Sequence, residues 1–396
     1  MRRVQTVAWL LVAAAALAVL IHFLRPVQRV AVDPLTPQQQ AVAAAVQQLW
    51  QRLDTAAASG DAAALPSLFD IQTAGGLAAL KHAEARLSYV QAWARARDIH
   101  WLAPEVTVRT PSIRVRGTTA TVQAIVSEAW RYVYGPVRAP IGPLNAFGLG
   151  RPHWITLREQ AGVWTIARDS FIDPLDQDTR IPGPARPSVP PPPAPAASSS
   201  GTYAAAGAVA YANQYCGAAP GCGNDSRYNP RFYDYESEGG DCTNFISQVL
   251  AIGGGLLRTS RWNFDPQTGQ GTLAWVQAPT LVRYLIGAGD ARVVATGPYA
   301  EVAPAIDRAR PGDVIAYVEG GRAVHMAIIV GFNSQHYALV DSHSADRYHV
   351  PWDLGWDYKA TFILLRITGQ RPSGPVQAAP AAATAGSCGA SLGLGA

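Results

Sequence analysis

The stretch GPARPSVPPPPAPAASSSG, residues 183–201, limits what the rest of the chain can become. Its prolines favour an extended, semi-stiff conformation and its Ser/Gly end is flexible, so it can bury no core. It divides the 396 residues into two foldable parts, each long enough for one domain. The Ala-, Gly- and Pro-rich tail after Thr368 is equally unable to form a core. The boundaries read as 1–33, 34–180, 181–201, 202–368 and 369–396.

The first of these, MRRVQTVAWLLVAAAALAVLIHFLRPVQR, is uncharged and mostly apolar between Arg3 and Arg25. About 20 such residues cross a bilayer as a helix. The spacing predicts an uncleaved membrane anchor with the remainder of the chain extracytoplasmic. Ala16-Leu17-Ala18 is the one small-x-small site at which a signal peptide could be removed, which would leave a secreted protein. A net charge of +4, from 32 basic and 28 acidic residues with no dense Lys/Arg stripe, argues against a nucleic-acid partner.

In residues 34–180, Thr36-Pro37 opens a helical pattern with Val42, Val46, Leu49 and Leu53 on one face, and Gly60 ends it. A second helix is expected from Leu77 to Ala96. After Pro104 the period becomes two, with a hairpin turning at Gln160 to Gly162. Helices followed by antiparallel strands make an α+β domain. The order, with the closing GVWTIARDSFIDP of Gly162 to Pro174, resembles the cone-shaped nuclear-transport-factor-two-like (SnoaL-like) superfamily, in which a sheet curls around a pocket. His100, His153 and Asp169 are candidate pocket residues there.

Residues 202–368 carry the chemistry. In GGDCTNFISQVLAIGGG, Asp241 precedes a helix opening at Cys242, and Ile246 and Val249 share the cysteine's face. Asp241 reads as the helix cap. A cysteine at a helix start favours the thiolate, and a nucleophile there needs a base from elsewhere in the fold. Downstream, RPGDVIAYVEGGRAVHMAIIVGF forms two strands joined at Glu319 to Arg322, with His325 in the second. In the following HYALVDSHS, alternation places Tyr337, Leu339, Asp341 and His343 on one face. A polar group there can orient an imidazole.

These segments, together with PGDVIAY and VDSHSADRYHVPW, resemble the bacterial putative amidase domain family, a group within the papain-like cysteine peptidases akin to NlpC-type and CHAP cell-wall hydrolases. The resemblance covers Thr202 to Thr368. It implies a papain-like α+β domain, a helix on an antiparallel sheet, with Cys242 as nucleophile and His325 as general base. Asp341 or His343 would be the third residue, and a peptide or peptidoglycan amide the substrate. Neither cofactor nor metal is implied. Val324 and Met326 stand where relatives often carry Trp and Ser, which leaves substrate preference open. Asn229 and Tyr235 are candidates for a second oxyanion donor. A catalytically inactive wall- or partner-binding module, and an acyl or amine transferase using the same Cys–His pair, are the alternatives. CGAAPGC, with Cys216 and Cys222, reads as a short disulfide loop, and Cys388 is left over.

Overall fold

A computed structural model describes residues 34–135, 143–171, 180–181 and 203–369. The expected anchor, the linker and the tail with Cys388 lie outside the described residues. Two helices come first, α1 (Pro37–Ser59) and α2 (Ala74–Ala96). Val42, Val46 and Leu49 are buried along α1 as the periodicity requires. The start of α2 lies three residues before Leu77, because the Thr73 hydroxyl accepts the Gly76 amide at 3.0 Å and caps the helix there. Strands β1 (Ile99–Trp101), β2 (Glu105–Arg116), β3 (Thr119–Tyr134), β4 (Asn145–Gln160) and β5 (Val163–Phe171) follow.

Beyond residue 203 come α3 (Ala205–Tyr215), α4 (Cys242–Gln248), α5 (Leu273–Val276) and α6 (Ala278–Gly287), then β6 (Ala291–Pro298) and α7 (Tyr299–Ile306). The chain closes with β7 (Val314–Glu319), β8 (Arg322–Phe332), β9 (Ala338–Ser342), β10 (Asp346–Pro351) and β11 (Thr361–Ile367).

The eleven strands form a single antiparallel sheet, ordered β1-β3-β4-β10-β9-β8-β7-β11-β6, with β2 added on β3 and β5 on β4. This corrects the expected architecture of a membrane helix, a cone-like domain and a papain-like domain with a sheet of its own. Among the described residues no helix is long and apolar enough to cross a membrane, so the expected anchor and the extracytoplasmic placement built on it have no support in the structure.

The reason for one sheet is local. β4 runs for 16 residues and pairs with β3 over most of its length, whereas β5 covers it only from His153 onward. The uncovered edge at Gly148 to Gly150 takes β10, with Gly150 opposite Asp346 and Gly148 opposite Tyr348. An open edge is a template for pairing. The loop closed by the Cys216–Cys222 disulfide lies directly over this join. A Cβ on Gly148 would stand 2.1 Å from the Pro220 carbonyl oxygen, and one on Gly150 2.5 Å from the Ala218 carbonyl carbon. Ser127 donates to the Ala218 carbonyl at 2.8 Å, and the Ala218 amide donates to Asp346 at 2.7 Å.

Alternation along β7 and β8 sorts two cores. Val314, Ala316, Met326 and Ile328 pack beneath α3, α4 and α6, while Ile315, Tyr317, Ala327 and Ile329 pack with α7, Trp352 and Trp356. A third core joins α2 to β1, β3 and β4 and includes Val350 and Leu354 from the second half of the chain.

Replacing Gly150 by Ala is expected to lower stability by about 1–3 kcal/mol through overpacking against backbone. Gly331→Ala, where an added Cβ meets nothing within 4 Å, should cost far less. Urea unfolding of both variants checks this.

Candidate functional site

The helix that carries Cys242 is buried along its whole length. Gly239 and Gly240, with φ of 112° and 107°, turn the chain into it through a region where other residues are strained. Its apolar side chains Phe245 and Ile246, with Val249 and Leu250 just past its end, enter the core under β7 and β8. Its polar ones are each satisfied. Asn244 donates to the Tyr233 carbonyl at 2.9 Å and accepts from the Trp275 indole at 2.8 Å; Ser247 donates to the Trp275 carbonyl and accepts from the Trp262 indole, both at 2.9 Å.

Asp241 occupies the position before this helix, but its side chain makes no capping bond, contrary to the reading from sequence. Its Oδ1 accepts from the Tyr235 amide at 3.0 Å and from Asn244 at 2.8 Å. Its Oδ2 lies 2.6 Å from Nδ1 of His343, just past the end of β9. The other ring nitrogen, Nε2, lies 2.6 Å from the Tyr215 carbonyl oxygen at the end of α3. A carboxylate and a carbonyl only accept, so both ring nitrogens donate and the ring is the imidazolium. It is fully buried between the rings of Tyr228 and Phe245, with centroids 3.7 and 4.1 Å away. Burial opposes its charge, but the bond to Asp241, its negative charge and that of Asp346 prevail, and the pKa is raised. Phe245 lies three residues after Cys242 on the same helix, and the Cys242 sulfur is 3.5 Å from the Thr243 hydroxyl.

Further acids surround it. Asp346 accepts from the Tyr228 hydroxyl at 2.6 Å, and burial pushes its pKa up to about 6. Glu236 accepts from Ser344 at 2.7 Å and is pushed to about 7, by burial and then by Asp346. Asp341 is buried with one oxygen accepting from the His349 amide at 2.8 Å and the other without a hydrogen-bond partner; burial drives it to about 8.

His325 is placed elsewhere. It lies opposite Tyr317 on β7, and its ring is 5.5 Å from Tyr317 and 5.6 Å from Trp356, both residues of the α7 side of the sheet. Met326 and Ile328, which alternate with it, face the core that contains Cys242. The structure therefore brings His343 onto Asp241, the chain neighbour of Cys242, and sets His325 on the face of the sheet opposite the core that contains Cys242. A bulge in the β7–β8 pairing between Tyr317 and Val318 accompanies this register. Burial, with Arg347 and His343, holds the His325 pKa down to about 3.

No cysteine among the described residues is free, and Cys216 pairs with Cys222. The two oxyanion candidates are engaged, Asn229 with the Tyr211 hydroxyl at 2.9 Å and Tyr235 as acceptor of the Gly271 amide at 2.8 Å. In the first half, His153 and Asp169 meet at 3.0 Å, whereas His100 is exposed. Asp241, Tyr215, Tyr228, Asp346 and Glu236 were not legible as site residues. Asp241 and His343 are 102 positions apart, and Tyr215 contributes only a backbone oxygen.

Residues 202–366 match the model of the family described as putative amidase domain, in agreement with the resemblance seen in the sequence. No curated protein matches the chain. Solved structures with some similarity include the intermembrane space region of the chloroplast protein ARC6, with a TM-score of 0.23 and 16% identity over 35% of this chain and 97% of that one. A protein of unknown function from Mycobacterium tuberculosis scores 0.22 at 18% identity, over 34% and 75%. A five-substitution nuclear-transport-factor-two variant, matching the N-terminal region, scores 0.19 at 16% identity, over 34% and 98%. At these scores the likenesses carry no argument.

The acids with raised pKa values bind their protons more tightly folded than unfolded. Their contribution to stability is therefore complete below about pH 4, their ordinary value, and is lost as pH rises through the folded values up to about 8. His325, held down to about 3, contributes in the opposite sense below about pH 6.5. His343 adds to the slope of the acids above about pH 6.5. Asp341→Asn should match the parent near pH 3, below the ordinary carboxylate value, and exceed it by about 2 kcal/mol or more at pH 9. Urea midpoints at the two pH values test this.

Proposed function

We propose that residues 203–369 hydrolyse amide bonds, with the reduced Cys242 sulfur as nucleophile and His343, held by Asp241, as proton carrier. The observation that carries this reading is the imidazolium fixed through both nitrogens at 2.6 Å and stacked on Phe245 of the cysteine's own helix. A buried cation beside a cysteine stabilises its thiolate. The family description, an amidase domain, supports the same class of reaction.

Cys242 enters the cycle as the thiolate, kept reduced by a thiol reductant in the medium. The thiolate attacks the amide carbonyl carbon, a C–S bond forms, and the C–N bond breaks as the leaving nitrogen takes the Nε2 proton of His343. The ring must release the Tyr215 carbonyl to deliver it. Neutral imidazole then takes a proton from water as its oxygen attacks the thioester. The carboxylic product leaves, the thiolate is restored, and Asp241 holds the ring through both steps. Peptide amides, stem peptides of peptidoglycan included, are the substrate class.

The full chain, assayed on such amides with and without a thiol reductant, should be active only when reduced. Cys242→Ser should abolish turnover, and His343→Gln should lower it by roughly 10²- to 10⁴-fold. His325→Ala should stay within a few-fold, with melting temperatures recorded for every variant. Parental turnover by Cys242→Ser would overturn the reading. Selective loss in a folded His325→Ala would transfer the base role to that residue. A product carrying an added amine acceptor would make the reaction transfer rather than hydrolysis.

A further inference from the structure

The short loop closed by Cys216 and Cys222 takes no part in the amide chemistry, yet it adjoins the ring on which that chemistry turns. Nε2 of His343 meets the carbonyl of Tyr215, the last residue of α3. A carbonyl in the last turn of a helix has no partner within the helix, so it is open to an outside donor. This one belongs to the planar peptide unit whose nitrogen is that of Cys216. Whatever fixes Cys216 therefore fixes the acceptor.

The same loop reaches the ring by a second route. Gly217 has φ of 86°, and a Cβ there would collide with the Asp346 carboxylate and stand 2.5 Å from the Tyr228 ring. The Ala218 amide donates to one Asp346 oxygen at 2.7 Å. Tyr228 donates to the other and stacks on His343. Asp241, by contrast, is held by Tyr235 and Asn244. The loop thus governs the surroundings of Nε2 and leaves Nδ1 to other segments. Cys216 is fully buried in the core that contains Cys242, whereas Cys222 is only partly buried.

We propose that the Cys216–Cys222 disulfide is a redox latch on the Nε2 proton of His343, closed when oxidised and opened by a dithiol. Its effect on turnover rests on His343 as proton carrier; its effect on the ring does not. A thiolate of the dithiol attacks the Cys222 sulfur, the S–S bond breaks, and the Cys216 thiolate leaves and takes a proton. The second thiol of the reagent then closes on the mixed disulfide. Cys222 departs as a thiol, and the dithiol is oxidised to a cyclic disulfide. Without the crosslink the loop regains conformational freedom, and the Tyr215 carbonyl is no longer held against Nε2. That is the bond the ring must release to protonate the leaving nitrogen, so opening the latch speeds this step while the bond to Asp241 persists.

The Cys242→Ser/Cys388→Ser chain keeps Cys216 and Cys222 as its only cysteines, so dithiothreitol acts on nothing else. Side-chain ¹⁵N spectra of His343 compare its oxidised and reduced forms, with alkylation and mass spectrometry confirming each state. Reduction should speed solvent exchange of the Nε2 proton by roughly 10-fold or more, the loss of one charged hydrogen bond, and leave the Nδ1 proton unaffected. Unchanged Nε2 exchange would overturn the latch. So would equal loosening of both nitrogens, by local or global unfolding, because the disulfide would then support the fold at large. Turnover tests the role of His343 separately. With Cys242 present, and a monothiol at a level that leaves the parent's Cys216–Cys222 bond intact, Cys222→Ser should exceed the parent by roughly 3- to 10-fold. If Nε2 is released and turnover does not rise, the proton-carrier role of His343 fails and the latch stands.

Discussion

The imidazole of His343 ties three distant parts of the chain to one point. Its two ring bonds fix the end of α3 through the Tyr215 carbonyl and the entry of α4 through Asp241, and its own backbone closes β9. The aromatic rings on either face exclude water from both bonds. A buried cation is tolerated only when paired and fully hydrogen-bonded, and here each condition is met by a different segment. Asp241 is fixed in turn by the Tyr235 amide and Asn244. The position of Cys242 follows from that of Asp241, its neighbour. Removing the ring would leave a buried carboxylate and a buried carbonyl without their donors, a larger loss than the two bonds themselves.

The same region is joined to the first half of the molecule through Asp346. This carboxylate accepts from Tyr228, which stacks on His343, and from the Ala218 amide in the disulfide loop. The loop lies on Gly148 and Gly150, where β4 and β10 make one sheet of two halves. Chemistry near Cys242 and the integrity of the sheet thus share residues.

Local periodicity was legible. The burial of Val42, Val46 and Leu49, the turns at Gly162 and Gly320-Gly321, and the disulfide between Cys216 and Cys222 are all properties of contiguous residues. The single sheet was not, because the Pro-rich stretch separates partners that pair across nearly 200 positions, Gly150 with Asp346 among them. The site was legible in type but not in assembly. A cysteine before an amphipathic run and histidines on later strands were visible. A two-residue period predicted one face for Tyr337, Leu339, Asp341 and His343, whereas Tyr337 packs with the α7 core and Leu339 with the core of α4. His325 pairs in regular register with Tyr317, and simple alternation with Met326 and Ile328 sets it on the side of Trp356. Which of the two faces holds Cys242 is a matter of long-range packing that the strand's own pattern does not show. Asp241 was read as a cap because capping is the common use of aspartate before a helix. Its partner was 102 residues away.

The charge state of His343 is the quantity on which the account of Cys242 rests. Side-chain ¹⁵N resonances of that residue, followed across pH in the full chain and in an Asp241→Asn variant, report it directly. The account predicts protons on both Nδ1 and Nε2 at neutral pH, and a midpoint above the usual value of about 6.5 that drops in the variant. A ring already neutral at pH 6, or a midpoint indifferent to Asp241, would contradict it.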